Sequence, residues 1–237
     1  MRGIGTIVNV VTVLAGTGIG LVAGGRLPER LRSTVLTGVG LLTLVIGVQE
    51  ATRTHNVVFP LVALILGGLA GEALRIEDHL EGVGARVRRR FERGRDESGD
   101  RTTSFVEGFV AASLLFCIGP LTILGSIKDG LGGPDHAQLL FVKSALDGLV
   151  ALVFASTLGW GVGFSVLTIV VVQGSLTLTA GAADRVLTAR MVDELTATGG
   201  VMILGIGLRL LDLKRVPVAS FVPALVLAPV AVALFAR

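Results

Sequence analysis

Eight continuous apolar runs dominate this chain and decide what it can fold into. A hydrocarbon core about 30 Å thick takes about 20 helical residues to cross. Runs at 4–24, 34–50, 57–75, 104–126, 138–158, 161–181, 196–211 and 218–236 approach or reach that length. They are not alternating patterns, so they read as helices and not as barrel strands. The second and seventh are short and the fifth carries charges, so seven spans remain an alternative to eight. The lipid bilayer is therefore the first partner the sequence implies.

Composition closes the soluble alternative. Apolar residues make up 51% of the 237 and charged residues 16%, with mean hydropathy +0.79; a soluble domain carries about 25% charged residues. The 33 glycines follow no triplet period, and the single cysteine, Cys117, lies in an apolar run and forms no intrachain disulfide. The basic balance does not indicate nucleic acid, because Lys and Arg crowd beside the spans. The connector from Arg75 to Arg101 alone contains eight arginines, among them Arg88, Arg89 and Arg90. Placing it in the cytoplasm puts 14 of the 21 basic residues inside and both termini outside.

Residues 27–47 align without gaps on 187–207. Leu27, Arg30, Gly40, Leu44, Ile46 and Gly47 equal Leu187, Arg190, Gly200, Leu204, Ile206 and Gly207. Five spans separate the starts of the two copies, an odd number, so the copies have opposite orientation, as in many secondary transporters. The expected fold is an all-α integral membrane protein of about eight transmembrane helices, two inverted three-helix repeats around a central helical hairpin. Its units are 1–75, the first repeat; 76–103, a charged connector; 104–160, the hairpin; and 161–237, the second repeat. Segments 26–36 and 184–195 each carry an apolar stripe at i, i+4, i+8 and are expected as interfacial amphipathic connectors.

Charge inside a bilayer is costly and marks candidate function. Lys143 and Asp147 stand four residues apart within a span, on one helix face; a structural ion pair is the alternative. In the fourth span, Gly119-Pro120 breaks the helical ladder and exposes half-helix termini at depth. Lys128-Asp129 at its far end reads as a solvated pair or cap. Asn9 and Gln173 are expected to make helix–helix hydrogen bonds. Glu50, Glu72 and Glu107 sit at span ends, and Gly16, Gly18 and Gly20 read as a packing face and not a dinucleotide loop. His55, His79 and His136 fall in connectors. No nucleophile–base pair, metal-ligand spacing or cofactor motif is present, so no enzyme, metal or cofactor is expected.

The segments Gly5-Thr6-Ile7-Val8-Asn9, Ala112 to Gly119, Gly125 to Leu131 and Lys143-Ser144-Ala145-Leu146-Asp147-Gly148 together resemble the YqgA-like bacterial membrane proteins, a domain of unknown function. Pro120 departs from that pattern, which has a small residue there. The resemblance implies a multi-span protein of the bacterial inner membrane with no established substrate. The leading expectation is a transporter or channel for a small solute or ion, with Lys143 and Asp147 as the favoured pair. The alternative is a non-transporting scaffold whose Gly-rich helices form a homo-oligomer.

Overall fold

A computed structural model describes residues 2–24, 28–79, 82, 99–118, 120–132 and 136–235. Among these, all regular structure is helical: α1 (Ile4–Gly24), α2 (Glu29–Ala51), α3 (Val58–Ala73), α4 (Gly99–Ile118), α5 (Pro120–Leu131), α6 (Gln138–Leu158), α7 (Gly161–Leu178), α8 (Ala180–Val186), α9 (Ala189–Leu210) and α10 (Ala224–Phe235). A 3-10 turn (Val218–Phe221) precedes α10. Most of the 76–103 connector, including its arginine run, and Gly119 lie outside the described residues.

Six segments are long and apolar enough to cross a membrane: α1, Ser33–Ala51 of α2, α6, α7, α9 and Val218–Phe235. The α4–α5 pair, bent by 60°, makes a seventh if it is one span. α3 has only 16 residues; at 1.5 Å per residue it covers about 24 Å, short of a full core. This is a multi-pass membrane protein.

Neither of the two expected interfacial connectors is a separate helix. From Glu29 the first runs unbroken into α2. The hydroxyls of Thr34 and Thr37 donate to the Arg30 and Ser33 carbonyls (3.0 Å each), so they are not free to cap a boundary there. The second is divided. α8 stops at Val186, and Thr188 caps a new helix by accepting from the Met191 N–H (3.3 Å), so α9 starts at Ala189 rather than near 196.

Glycine sets the closest helix contacts. α1 lies parallel to α6, and a Cβ at Gly16, Gly20 or Gly24 would stand 2.1, 2.3 or 2.3 Å from the carbonyl oxygens of Gly148, Leu152 and Ser156. Gly18 meets nothing within 4 Å, so only two of the three glycines read as a packing face belong to it. α2 and α9 are antiparallel, and their contacts exchange. Gly47 rests on Leu204 while Gly207 rests on Leu44; Gly40 rests on Leu210 and Leu211 while Gly200 rests on Glu50 and Ala51. Leu44 and Leu204 are residues that the sequence alignment equates, and Glu50–Ala51 and Leu210–Leu211 continue the same register beyond its end.

α4 begins beside the start of α7, with Gly161 against the Phe105 carbonyl, and α5 ends beside the end of α7, with Gly130 against the Thr177 carbonyl. The bent pair therefore accompanies α7 along its whole length. α9 is the central helix, 72% buried against 28% for α1. Leu41, Val45, Ile65, Leu149, Val171 and Val226 face outward, as a lipid-facing surface permits. Trp160, Phe105 and Phe164 cluster edge to face at the α6–α7 corner, with centroids 5.1 to 5.5 Å apart, as at membrane interfaces.

Gly16→Ala should therefore lower stability by about 1–3 kcal/mol through overpacking, whereas Gly18→Ala should change it by less than about 0.5 kcal/mol. Thermal melting of both variants in one detergent checks this; equal melting of the two would refute the backbone contact.

Candidate functional site

The favoured pair is a buried three-residue cluster. On α6, Lys143 and Asp147 are 5% and 7% exposed, and the Lys143 ammonium donates to Asp147 Oδ2. The Asn9 amide, from α1, donates to the same oxygen (3.0 Å). Lys143 Nζ also lies 5.9 Å from the Phe116 ring centroid, a cation–π placement. Asn9 thus makes the helix–helix bond expected of it.

Phe116 connects this cluster to the break in the fourth span. Proline has no N–H, so Pro120 leaves the carbonyl four residues earlier, that of Phe116, without its helical donor. The Thr122 hydroxyl supplies the bond (2.8 Å). That carbonyl is therefore satisfied internally, as irregular backbone at membrane depth requires. Cys117, beside it, is buried.

Of the solvated pair or cap expected of Lys128-Asp129 at the end of α5, Asp129 makes a cap and the two do not pair. Lys128 is exposed, whereas Asp129 is fully buried and points between helices. Its Oδ2 accepts from the Gly5 N–H (3.0 Å), capping the start of α1, and His136 Nε2 lies 3.6 Å from its Oδ1. The α helix preference for an anion at its N-terminus is met by a residue 124 positions away. Beside this cap a cavity of about 450 Å³ opens, lined by Gly3, Thr6, Gly130, Gly174, Thr177 and Ala180 among others.

Inward of that mouth the helices carry polar atoms without partners. Gln173 is fully buried, and neither its Oε1 nor its Nε2 has a hydrogen-bond partner among the described residues. The expected helix–helix bond of Gln173 is thus not made. Thr6 Oγ1, Asn9 Oδ1 and Ser126 Oγ are in the same condition. Buried polar groups are normally paired, so several without partners close to one another in the fold are unusual.

Two ionic clusters escaped the sequence reading. Arg209, at the end of α9, donates to Glu107 Oε1 and to Glu77 Oε1 (2.8 Å each). Glu77 Oε2 accepts from the Ala219 N–H (2.9 Å), so the cluster fastens the 3-10 turn. At the opposite end of α9, the fully buried Glu194 accepts from the Thr54 hydroxyl (2.6 Å) and the His55 and Asn56 N–H groups (2.8 and 3.2 Å). His55 Nε2 lies 2.9 Å from Asp193. The available signal was the Thr188 cap, which would have put Glu194 inside a span. Glu50 pairs with Arg53 (2.7 Å), and Glu72 approaches Ser220 (3.5 Å). Among the described residues no group of His, Cys, Asp and Glu is arranged to hold a metal.

The family described as a protein of unknown function (DUF554) matches residues 4–233. The chain belongs to that family. It is 32% identical over 225 residues to the uncharacterized protein YqgA of Escherichia coli (strain K12), covering 95% of this chain and 94% of that one. It is 29% identical over 233 residues to the uncharacterized membrane protein YdfK of Bacillus subtilis (strain 168), covering 96% and 95%. No solved structure matches.

If Lys143 and Asp147 hold the bundle together as a pair, Asp147→Leu alone should cost about 3–5 kcal/mol by stranding a buried ammonium, while Lys143→Met with Asp147→Leu should melt close to the parent. Melting of the single and double variants in detergent decides this; a double variant as unstable as the single one would contradict it.

Proposed function

We propose that this family member is a transporter or channel for a small hydrophilic solute or ion in the bacterial inner membrane. One observation carries the reading: unpartnered polar atoms, on α1, α5 and α7, lead inward from the 450 Å³ mouth toward the Lys143–Asp147–Asn9 cluster at the helix break. Buried polar groups in a membrane bundle are retained where something polar passes or binds. The reading gives the chain no covalent chemistry and needs no resident cofactor.

The architecture supports it. The exchanged contacts of α2 and α9 are those expected of two inverted copies related by a two-fold axis in the membrane plane. With α4–α5 counted as one span and α3 as another, the chain crosses eight times. The parallel packing of α1 on α6 and of α4 on α7 is consistent with that count. With the Arg75–Arg101 connector in the cytoplasm, both termini and the mouth face outward.

Reporter fusions in that connector should therefore report a cytoplasmic location; an external one would invert the orientation. In liposomes, the protein should carry flux of at least one solute or ion from a panel, and the Lys143→Met, Asp147→Leu double variant should fold yet lose it. A folded double variant with parental flux would remove the pair from the path. Absence of flux for the whole panel, with protein confirmed in the membrane, would refute the transport reading.

A further inference from the structure

We infer that the buried niche between α1, α5 and α7 is a binding site for one alkali cation. This rests on the transport reading and deepens it by naming what the mouth side of the path takes. Four helix contacts bring the niche residues to one depth. Gly3 against Thr177 and Thr17 against Gly163 set α1 and α7 antiparallel, which puts Gln173 at the level between Thr6 and Asn9. Gly130 against Thr177 puts Ser126 beside Gln173. The bond from the Gly5 N–H to Asp129 brings the same stretch of α5 against Thr6 and Asn9.

The chemistry of the lining selects the ligand. Six buried side-chain oxygens have no hydrogen-bond partner among the described residues. Five belong to this niche: Thr6 Oγ1, Asn9 Oδ1, Ser126 Oγ, Gln173 Oε1 and, one turn toward the mouth, Asp129 Oδ1; the sixth, Thr17 Oγ1, lies farther along α1 at the level of Gly163. The amide of Asn9 has a fixed sense, because a carboxylate accepts and does not donate. Its Nδ2 must face Asp147, which leaves Oδ1 for the niche. All-oxygen sets suit hard cations. Calcium takes six to eight oxygens, usually with several carboxylates, and magnesium keeps its waters; here the set has four neutral oxygens and one carboxylate, whose Oδ1 lies 3.6 Å from His136 Nε2. A single positive charge matches that set.

An anion fits poorly. The Lys143 ammonium is held by Asp147 and Phe116, which leaves the Gln173 amide as the unpaired donor among the niche side chains; Arg2 lines the mouth cavity outside the niche. The mouth cavity, which Thr6 also lines, supplies the entry. His136 Nε2, 3.6 Å from Asp129 Oδ1, would be the cation's competitor at the outermost oxygen.

The test uses the purified full chain in detergent, melted in sodium, potassium, lithium and choline chloride at equal ionic strength. Equilibrium binding of radioactive sodium and rubidium is measured in parallel. At least one alkali salt should raise the melting temperature saturably above choline, since a ligand that binds only the folded state stabilises it; the size of each shift ranks the ions. Gln173→Leu should weaken binding about tenfold or more and melt higher than the parent in choline chloride, because it removes an unpaired buried amide. Ser126→Ala, a smaller change, should weaken binding in the same direction. Identical melting of the parent in all four salts, or parental binding in both variants, would overturn the inference. Saturable binding without liposome flux would keep this site and refute transport, whereas flux of another solute without alkali binding would keep transport and refute this site.

Discussion

Contact of α1 with the backbone of α6 is the feature on which the site depends. With glycine at 16, 20 and 24, α1 lies directly on the carbonyls of 148, 152 and 156, and that contact fixes the rotation of α1 about its axis. Once the glycine edge is set, Thr6, Asn9, Val13 and Thr17 fall on the same buried side, whereas Ile7, Val11 and Leu14 turn outward. A side chain in place of Gly16 would lift α1 and move Asn9 away from Asp147. Small residues serve this purpose in lipid because no hydrophobic effect pushes helices together there, and close packing has to supply the attraction.

The second constraint is the lack of water to receive polar groups. It accounts for how each end of the bundle is tied. Glu194 receives three donors from the turn between α2 and α3, and the Arg209–Glu77–Glu107 group joins α4, α9 and the 3-10 turn. Both groups lie at ends of α9, the most buried candidate span, so this helix carries the anchors for the turns on both sides. Thr122 performs the same duty within the membrane by closing the carbonyl that Pro120 opens. Against that background of satisfied groups, the unpaired amide of Gln173 and its neighbouring oxygens stand out, which is why the proposed site is placed there.

Much of this was legible in the sequence. Long apolar runs fixed the class, because only a helix satisfies its own backbone in lipid. The i, i+4 spacing of Lys143 and Asp147 placed the pair on one face, the buried polarity of Asn9 implied a bond across helices, and Gly119-Pro120 marked the break. These features are local: each follows from spacing along one helix. Helix ends were less legible. Both α9 and α2 start earlier than hydropathy suggests, α9 at the Thr188 cap and α2 at Glu29, directly after Pro28, since a helix does not begin where apolar residues begin.

What only the tertiary structure decided is which polar groups meet. Lys128 and Asp129 are neighbours in sequence, but helical geometry turns one outward and buries the other under the first residues of α1. Arg209 meets Glu107 across 102 positions and Glu77 across 132, and no periodicity encodes such distances. Asn9 and Gln173 look alike in sequence, each a lone amide in an apolar run. One is paired and the other is not, because a side chain's partner depends on the rotation and register of the neighbouring helix, which are fixed by packing between helices and not by either helix alone.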